Sequence, residues 1–480
     1  MANDVQQPAA APISVAQGQW QVGTLIYTRG GLIRIFSWLL WGDLCLVISE
    51  AILLRMVPLQ LNALGASSAA VGVIGGSIYS LMNWIMNPLI STGSDRYRSR
   101  LGRRMPFLLY TAPLIALFLM GLGCSDAIGN WMNAHFPLLA AHIAHLAGRL
   151  FPGVGELSRQ AGLTIAMIAL FIVLFRFFDL FPQCVYYYLF PDVIPQQVMG
   201  TFICLFSVTS AVGNLFFHSV LLPLAATHPR MIYAGSALLY LCTFMLLPMA
   251  VKEGTYPPPP PRKKAQPVTM AIGWAREVFS QGFYWQYFLT FSAYRWAYMP
   301  FNMFVTIYAA KKLGLDKAGI GEVLSITLIA QLPVLFLLGP LLDRFHATRV
   351  AIVGFAAMVL SAGGGFFFIH NRWTFIVWVT GAFVTSAVVK GAMSTVGPRL
   401  LPRARYGQFS AANSMVSESG MLFLTYLCGL LLDRKGQQYL FAWMVWFSVF
   451  GLLMTVLLYR SWLARGGDSA YTPPPVSAAL

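Results

Sequence analysis

Charge is what this chain has least of. Only 10% of its 480 residues are Asp, Glu, Lys or Arg, and just 16 are acidic. A soluble domain carries roughly a quarter charged residues. Water cannot coat a fold of this length and composition, which excludes a soluble enzyme, a nucleic-acid-binding module and a disordered tail. Cysteine is scarce too. Cys45, Cys124, Cys184, Cys204, Cys242 and Cys428 lie in or beside apolar stretches with no close pair, which leaves neither a disulfide framework nor a zinc site. His-Glu-x-x-His, a Walker loop and Gly-x-Ser-x-Gly are all missing, so nothing in the sequence supports catalysis. The first 30 residues lack a basic start followed by an apolar core, so no cleaved signal is expected.

What the chain has in quantity is hydrophobicity: 58% of its residues are apolar and the mean hydropathy is +0.66. About 20 apolar residues carry one helix across a bilayer. Runs of that length fall near 35–57, 70–92, 106–124, 161–183, 199–224 and 230–250. A second set falls near 284–310, 318–338, 350–369, 374–397, 408–432 and 440–460. The expectation is an all-α membrane protein with twelve transmembrane helices in two six-helix bundles, 35–250 and 284–460. A segment 1–34 precedes them, an insertion 125–160 interrupts the first, and a tail 461–480 follows the second. Between the bundles, 251–283 holds Pro257 to Pro261 and then Arg262, Lys263 and Lys264. Five prolines favour an extended spacer and cannot continue a helix, so this segment is a linker.

The net charge of +16 falls mostly in short gaps between apolar runs, the pattern of topology-setting loops. An even helix count puts both termini on one side. Loops on that side sum to +12 and the opposite loops to +5, so the positive-inside rule expects cytoplasmic termini and linker. The location expected is the cell (inner) membrane.

The two sets of runs look like copies. At an offset of 207, Pro191, Pro195, Gly200 and Phe202 fall on Pro398, Pro402, Gly407 and Phe409. Ser207, Ser210, Gly213 and Leu215 fall on Ser414, Ser417, Gly420 and Leu422. Asp95-Arg96 matches Asp343-Arg344 at an offset of 248, the excess being absorbed by the insertion and a longer loop. A parallel repeat of six plus six helices is the organisation of major facilitator transporters, with substrate bound between the halves near the midplane.

The loop after the second run reads Gly93, Ser94, Asp95, Arg96, then Arg100, Leu101, Gly102, Arg103, Arg104, Met105, Pro106. Its counterpart reads Gly339 to Asp343, Arg344. Glycine allows close helix approach and an aspartate can hold an arginine, so these residues are candidates for a conformational latch between the halves. The alternative is a basic loop that only sets topology. A similar string, Gly429, Asp433, Arg434, lies on the opposite face.

The run Asp95-Arg96 through Arg100-Leu101-Gly102-Arg103-Arg104-Met105-Pro106 resembles the corresponding loop of sucrose/proton symporters. Those belong to the glycoside–pentoside–hexuronide symporter group of the major facilitator superfamily. Gly42-Asp43-Leu44-Cys45 with Glu50-Ala51, and Phe206-Ser207 through Ala211, Val212, Gly213 and Asn214, are similar to the first and fifth helices of that group. The resemblance implies proton-driven sugar uptake. It also places the group's acidic residue of the fourth helix at or near Asp179. Sodium-using relatives carry two aspartates where this chain has Asn83 and Asn87 before Pro88. Neutral amides do not supply the charge a sodium site needs, so proton coupling, or none, is favoured.

Ionisable groups inside the runs are Asp43, Glu50, Arg55, Arg176, Asp179, Arg295, Glu322, Lys390 and Glu418. Each costs on the order of 2.5–3.5 kcal/mol at a helix centre on insertion scales, so each should face a partner or a wet cavity. Arg55 and Glu322 are read as snorkelling near helix ends. Arg176 and Asp179, three apart, share a face and could pair. Asp43 and Glu50, seven apart, also share one. Asp179, Asp43, Glu50 and Arg176 are the proton-coupling candidates, with a structural ion pair as the alternative. Lys390 and Glu418 are read as possible partners. Sugars are held by amides and by aromatic faces, so the substrate-binding candidates are Asn83, Asn87, Gln183, Trp41, Tyr79, Tyr187, Arg295, Asn302, Gln331 and Lys390. Trp84, Trp285, Tyr294 and Trp296 join them as cavity-facing aromatics; for any one ring, packing against lipid is the alternative. His135, His142 and His145 share a face if the insertion is helical, and no carboxylate joins them, so no metal site is expected.

The expected function is a secondary transporter importing a sugar or glycoside with protons. Its partners would be that solute and the lipid bilayer, with no nucleic acid. No cofactor is expected, the proton being the coupling ion, and the chain is expected to be monomeric. The rival within transport is an exporter or facilitator of another organic solute; the rival outside it is a non-transporting receptor or scaffold.

Overall fold

The computed structural model describes residues 20–22, 24–254, 275–276, 278–402, 406–467 and 471–474; side chains at 88, 91, 92, 95, 96, 196, 197, 200, 204, 343, 406 and 407 are excepted. The proline run Pro257–Pro261, the basic triplet after it and the side chains of Asp95, Arg96 and Asp343 lie outside that description.

Among the described residues eleven helices are long and apolar enough to cross a membrane. The first half begins with a short antiparallel hairpin, β1 (Trp20–Val22) and β2 (Leu25–Tyr27). Its spanning helices are α1 (Arg29–Ala63), α2 (Ser68–Gly72, Val73–Ser77 and Ile78–Arg96) and α3 (Met105–Gly123). Two short helices, α4 (Ser125–His135) and α5 (Pro137–Leu150), fill the insertion. Then come α6 (Arg159–Val193), α7 (Gln196–Phe216, Phe217–Leu221 and Leu222–Thr227) and α8 (Pro229–Ala250). The second half is α9 (Gly282–Leu313), α10 (Lys317–Arg344), α11 (Ala347–Phe368), α12 (Arg372–Leu400), α13 (Tyr406–Lys435) and α14 (Tyr439–Leu463).

The remaining run, the seventh at 284–310, forms α9. It is 32 residues long, but its many tyrosines and tryptophans hold its hydropathy below that of its neighbours.

Local chemistry fixes where helices begin. Thr28 and Ser158 accept from the N–H groups of Gly31 and Ala161, and Asp316 accepts from Gly319. Asn371 and Thr374 cap α12 reciprocally. Each satisfies a donor that has no partner inside its own helix.

Within each half the helices pack on one another: α3 against α8 and α6, α9 against α14 and α13, and α11 against α12 and α14. Between the halves, α2 lies along α13 and the end of α7 lies along α10. This is an all-α membrane fold of two bundles meeting at a seam. The insertion differs from its expected form. His135 closes α4 and Pro137 opens α5, so the three histidines do not share one helix. Among the described residues no group of His, Cys, Asp or Glu is placed to hold a metal.

Three helices contain a π turn: Ile52–Met56 in α1, Val73–Ser77 in α2 and Phe217–Leu221 in α7. Pro58 and Pro223 each follow one of these turns by two residues. A proline has no N–H to give and presses on the carbonyl four residues back, so the helix widens just before it.

Candidate functional site

A cavity of about 330 Å³ lies on the seam. From the first half it is lined by Glu50 and Arg55 of α1, Gln183 and Tyr187 of α6, and Asn214 and His218 of α7. From the second half come Tyr298 and Asn302 of α9, Gln331 of α10, and Phe383 and Lys390 of α12. Two of the π turns contribute to its lining, through Arg55 of α1 and His218 of α7. Such turns redirect side chains at functional positions.

Of the candidate residues, Glu50, Gln183, Tyr187, Asn302, Gln331 and Lys390 come together here. The other candidates fall elsewhere. Trp41 donates from Nε1 to Thr243 Oγ1 at 3.0 Å, which turns its ring toward α8. Asn87 accepts from the Cys184 thiol at 3.3 Å. Trp296 donates to the Ser417 carbonyl at 3.0 Å and Trp285 to that of Phe279 at 3.0 Å. Tyr294 stacks on Tyr298, ring centroids 5.6 Å apart.

The charged residues pair in part as the sequence reading has it: Arg176 and Asp179 do form an ion pair, and other partners differ. Arg176 makes its short bonds to Glu50, at 2.6 and 3.2 Å, joining α6 to α1. Asp179 stands 3.5 Å from the same guanidinium. Tyr79 lies under Arg176, 4.4 Å from the ring centroid, and so belongs to this cluster. Asp43 is separate from it: buried, it accepts from Ser210 Oγ at 2.6 Å. Glu418 takes Arg295 at 2.7 Å and accepts from Asn83 Nδ2 at 3.1 Å, across the seam, rather than pairing with Lys390. Nor does Arg55 snorkel. It is 5% exposed and reaches the backbone oxygen and Oδ1 of Asn302, the latter at 2.5 Å, with Phe383 beneath at 6.0 Å. Snorkelling failed as a reading because Arg55 sits at the seam, where the opposite half offers acceptors that lipid does not. Glu322 does sit at a half-exposed position, paired with Arg372.

His218, Tyr298 and Thr327 line the cavity and were not read from the sequence as site residues. A signal existed for one of them: His218 is the one histidine inside an apolar run, and an ionisable ring in that setting is as informative as a carboxylate.

The seam has two unlike ends, named here for the insertion and for the chain termini. At the insertion end, side chains of the second half cap helices of the first. Asp433 accepts from the N–H groups of Ser68 and Ala69, both at 2.8 Å, at the start of α2. Lys317 donates to the Ala225 carbonyl at 2.8 Å, in the last turn of α7. A glycine four residues from each cap lets the backbones touch. A Cβ on Gly429 would lie 2.6 Å from the Ser68 carbonyl carbon, and one on Gly321 would strike the His218 carbonyl oxygen. The string Gly429, Asp433 is thus a contact between the halves.

At the terminal end the Arg-rich loop bonds to its own half. Arg103 and Arg104 hold Asp192 at 2.8 and 2.5 Å, and Glu253 accepts from the N–H groups of Arg103, Arg104 and Met105. Gly102 turns this loop at φ +106°, with the Glu253 side chain packed where a Cβ would stand. Gly93 and Gly339 have open space around them. Arg344 lies over the ring of its neighbour Phe345 at 5.6 Å.

Comparison with known proteins agrees with this geometry. The family model of the Major Facilitator Superfamily matches residues 287–478. A bacterial homologue of the human lysosomal transporter Spinster, inward-facing and unoccupied, is similar over 91% of this chain and 99% of its own, at 14% identity and a TM-score of 0.63. A bacterial homologue of the iron transporter ferroportin, inward-facing, is similar over 89% and 99%, at 15% identity and a TM-score of 0.62; its outward-facing structure gives 0.51. A D-xylose–proton symporter is similar over 90% and 96%, at 15% identity and a TM-score of 0.61. No curated protein matches the sequence. The chain therefore has the major facilitator fold.

Proposed function

We propose that this chain imports a sugar or glycoside together with protons, by alternating access of the cavity between the two halves. The observation that carries the reading is the cavity itself: it spans both bundles and is lined by amides and phenols. Solute pockets run from about 300 to 1,000 Å³, so 330 Å³ suits a mono- or disaccharide. Gln183, Asn214, Asn302 and Gln331 supply donors and acceptors for hydroxyls, and Tyr187 and Tyr298 supply rings for the C–H faces.

The proton would be carried by the Glu50–Arg176–Asp179 cluster, with Asp43 one step along α1. Asp179 is 1% exposed and its Oδ2 has no hydrogen bond. It shares one arginine with Glu50, so a proton on either carboxylate frees the guanidinium to favour the other. Glu50 also lines the cavity, which links proton and solute.

The seal at the insertion end, together with the charge asymmetry of the loops, supports a state open to the cytoplasm, with the termini there. So does the better match to the inward-facing ferroportin homologue. The residues of the loop around Gly93, Asp95, Arg96, Gly102, Arg103 and Arg104, and of Gly339, Asp343 and Arg344, would latch the opposite state.

Uptake by proteoliposomes tests this reading. Acidifying the outside is expected to accelerate uptake of a disaccharide, and Asp179→Asn to abolish accumulation while leaving exchange of solute in place. Equal uptake with and without the pH gradient would remove the coupling and leave a facilitator.

A further inference from the structure

The insertion carries an apolar surface that the protein leaves uncovered. In α5, Ala140 and Ala147 turn inward, and Ala140 packs with Leu163 and Met167 of α6. Leu139, Leu146 and Leu150, at i, i+7 and i+11, form a neighbouring row and are 53, 55 and 61% exposed. Trp131 and Phe136, rings 5.6 Å apart, stand exposed at the turn between α4 and α5. A third row, His142, His145 and Arg149, runs beside the leucines and is exposed as well.

Contacts fix the height of this hairpin. Only Cys124 separates α3 from α4. Asp126 holds Arg230, at the start of α8, at 2.6 Å. Asn130 accepts from Gln160 Nε2, at the start of α6, at 2.5 Å. Three spanning helices begin or end there, so α4 and α5 lie where the chain leaves the bilayer. Leucines and aromatics on one side, with basic residues on the next, are the build of a helix lying in the plane of the membrane surface. A cleft of about 470 Å³ opens between the last turn of α5 and the first of α6. It is lined by His145, Arg149, Ser158 and Arg159, with no carboxylate among its described lining residues. Of the insertion's two acids, Asp126 is taken by Arg230 and Glu156 does not line the cleft.

We infer that α4 and α5 form a lipid-binding surface: the leucine row enters the acyl layer, and the cleft takes the phosphate of an anionic phospholipid. Arg149 and Arg159 donate to the phosphate oxygens as charge-assisted bonds. The Ser158 hydroxyl accepts from the Ala161 N–H and keeps its own proton to give. This site lies apart from the cavity between the halves and does not depend on what the protein carries. The lipid bears on the seal at the insertion end through the loop that follows α5. Ser67 Oγ donates to the Pro152 carbonyl at 2.5 Å, and the next two residues, Ser68 and Ala69, are those that Asp433 caps. A phospholipid that fixes α5 steadies the first-half side of that contact. The link to the seal rests on the transporter reading; the lipid site does not.

The test uses the full-length protein in vesicles of phosphatidylcholine with or without phosphatidylglycerol. A spin label on Leu146→Cys, in a background freed of native cysteines, is expected to meet oxygen and to be shielded from a water-soluble nickel reagent. A label on His142→Cys should show the reverse. Phosphatidylglycerol is expected to stay on the detergent-extracted protein, read by native mass spectrometry. Arg149→Gln combined with Arg159→Gln should lower that retention by on the order of tenfold. Both arginines are exposed, so the fold should survive. Phosphatidylglycerol should also slow labelling of Gln331→Cys from the insertion end, and should not do so in the double variant. A Leu146→Cys label in water, or equal retention of the two lipids, would overturn the inference. Thermal stabilisation by inorganic phosphate equal to that by phosphatidylglycerol would give the cleft to a soluble anion and overturn it too. So would a disulfide between two copies through Leu146→Cys, which would give the row to self-association. Labelling at Gln331→Cys that ignores phosphatidylglycerol would overturn the link to the seal. None of these readouts needs a transported solute, so the transport reading stands or falls separately.

Discussion

The two ends of the seam are made of opposite kinds of contact. At the insertion end the bonds run between the halves, and they run from side chains to the spare backbone groups of helix ends: Asp433 to the start of α2 and Lys317 to the last turn of α7. At the terminal end the strong ion pairs seen among the described residues run within one half, from Arg103 and Arg104 to Asp192. A bond between bodies that move must break and remake in each cycle; a bond within one body travels with it. The first kind decides which state is populated and the second keeps a loop in shape. Number of ion pairs is therefore a poor guide to gating, and location is a good one.

The largest effect that would break this contrast is steric. Gly429→Leu places side-chain carbon against the Ser68 and Ala69 backbone, so α2 and α13 cannot close. Uptake is expected to fall to background, and a single cysteine placed at Gln331 should become reactive to an impermeant thiol reagent added at the insertion end, in a background freed of native cysteines. Unchanged labelling would mean that this contact is not the seal.

Asp433→Ala comes next. It removes two charge-assisted bonds, about 3 kcal/mol, and shifts the balance of states by roughly a hundredfold. The same labelling assay should rise with a partial loss of uptake. Lys317→Met should move the equilibrium by only about 1 kcal/mol, because it removes one bond at a partly exposed helix end. Arg103→Gln should change it least. Its ion pair with Asp192 is partly exposed and lies within one half, so loss of that pair should leave labelling at the wild-type level and lower thermal stability by no more than about 1 kcal/mol. A larger change in labelling for Arg103→Gln than for Lys317→Met would reverse the contrast.

Much of the fold could be read from the sequence because apolar runs near 20 residues are dictated by bilayer thickness and recur in both halves. Runs such as 374–397 and 440–460 lie inside α12 and α14. The run at 284–310 lies inside α9 as well, although that helix's aromatics hold its hydropathy below that of its neighbours. Part of the site was legible too, since buried ionisable residues must find partners. Which partners they find was not. Arg176 is three residues from Asp179 on one helix, yet Glu50, 126 residues away, makes the shorter bonds. Sequence spacing describes one helix face, whereas the choice of partner depends on which helices cross there. Arg55 shows the same limit: distance from a helix end suggested snorkelling, and only the approach of Asn302 from the other half reveals its role. Asp433 was noticed as part of a short string, but a carboxylate that caps another helix's backbone leaves no pattern in the helix it caps.

The caps have one more consequence. The first N–H groups of α2 and the last carbonyls of α7 have no mate in their own helices, so water can take them over the moment Asp433 and Lys317 withdraw. Opening this gate thus exchanges one solvation for another and melts no turn of helix. A door hinged on such groups can swing many times without loosening its frame.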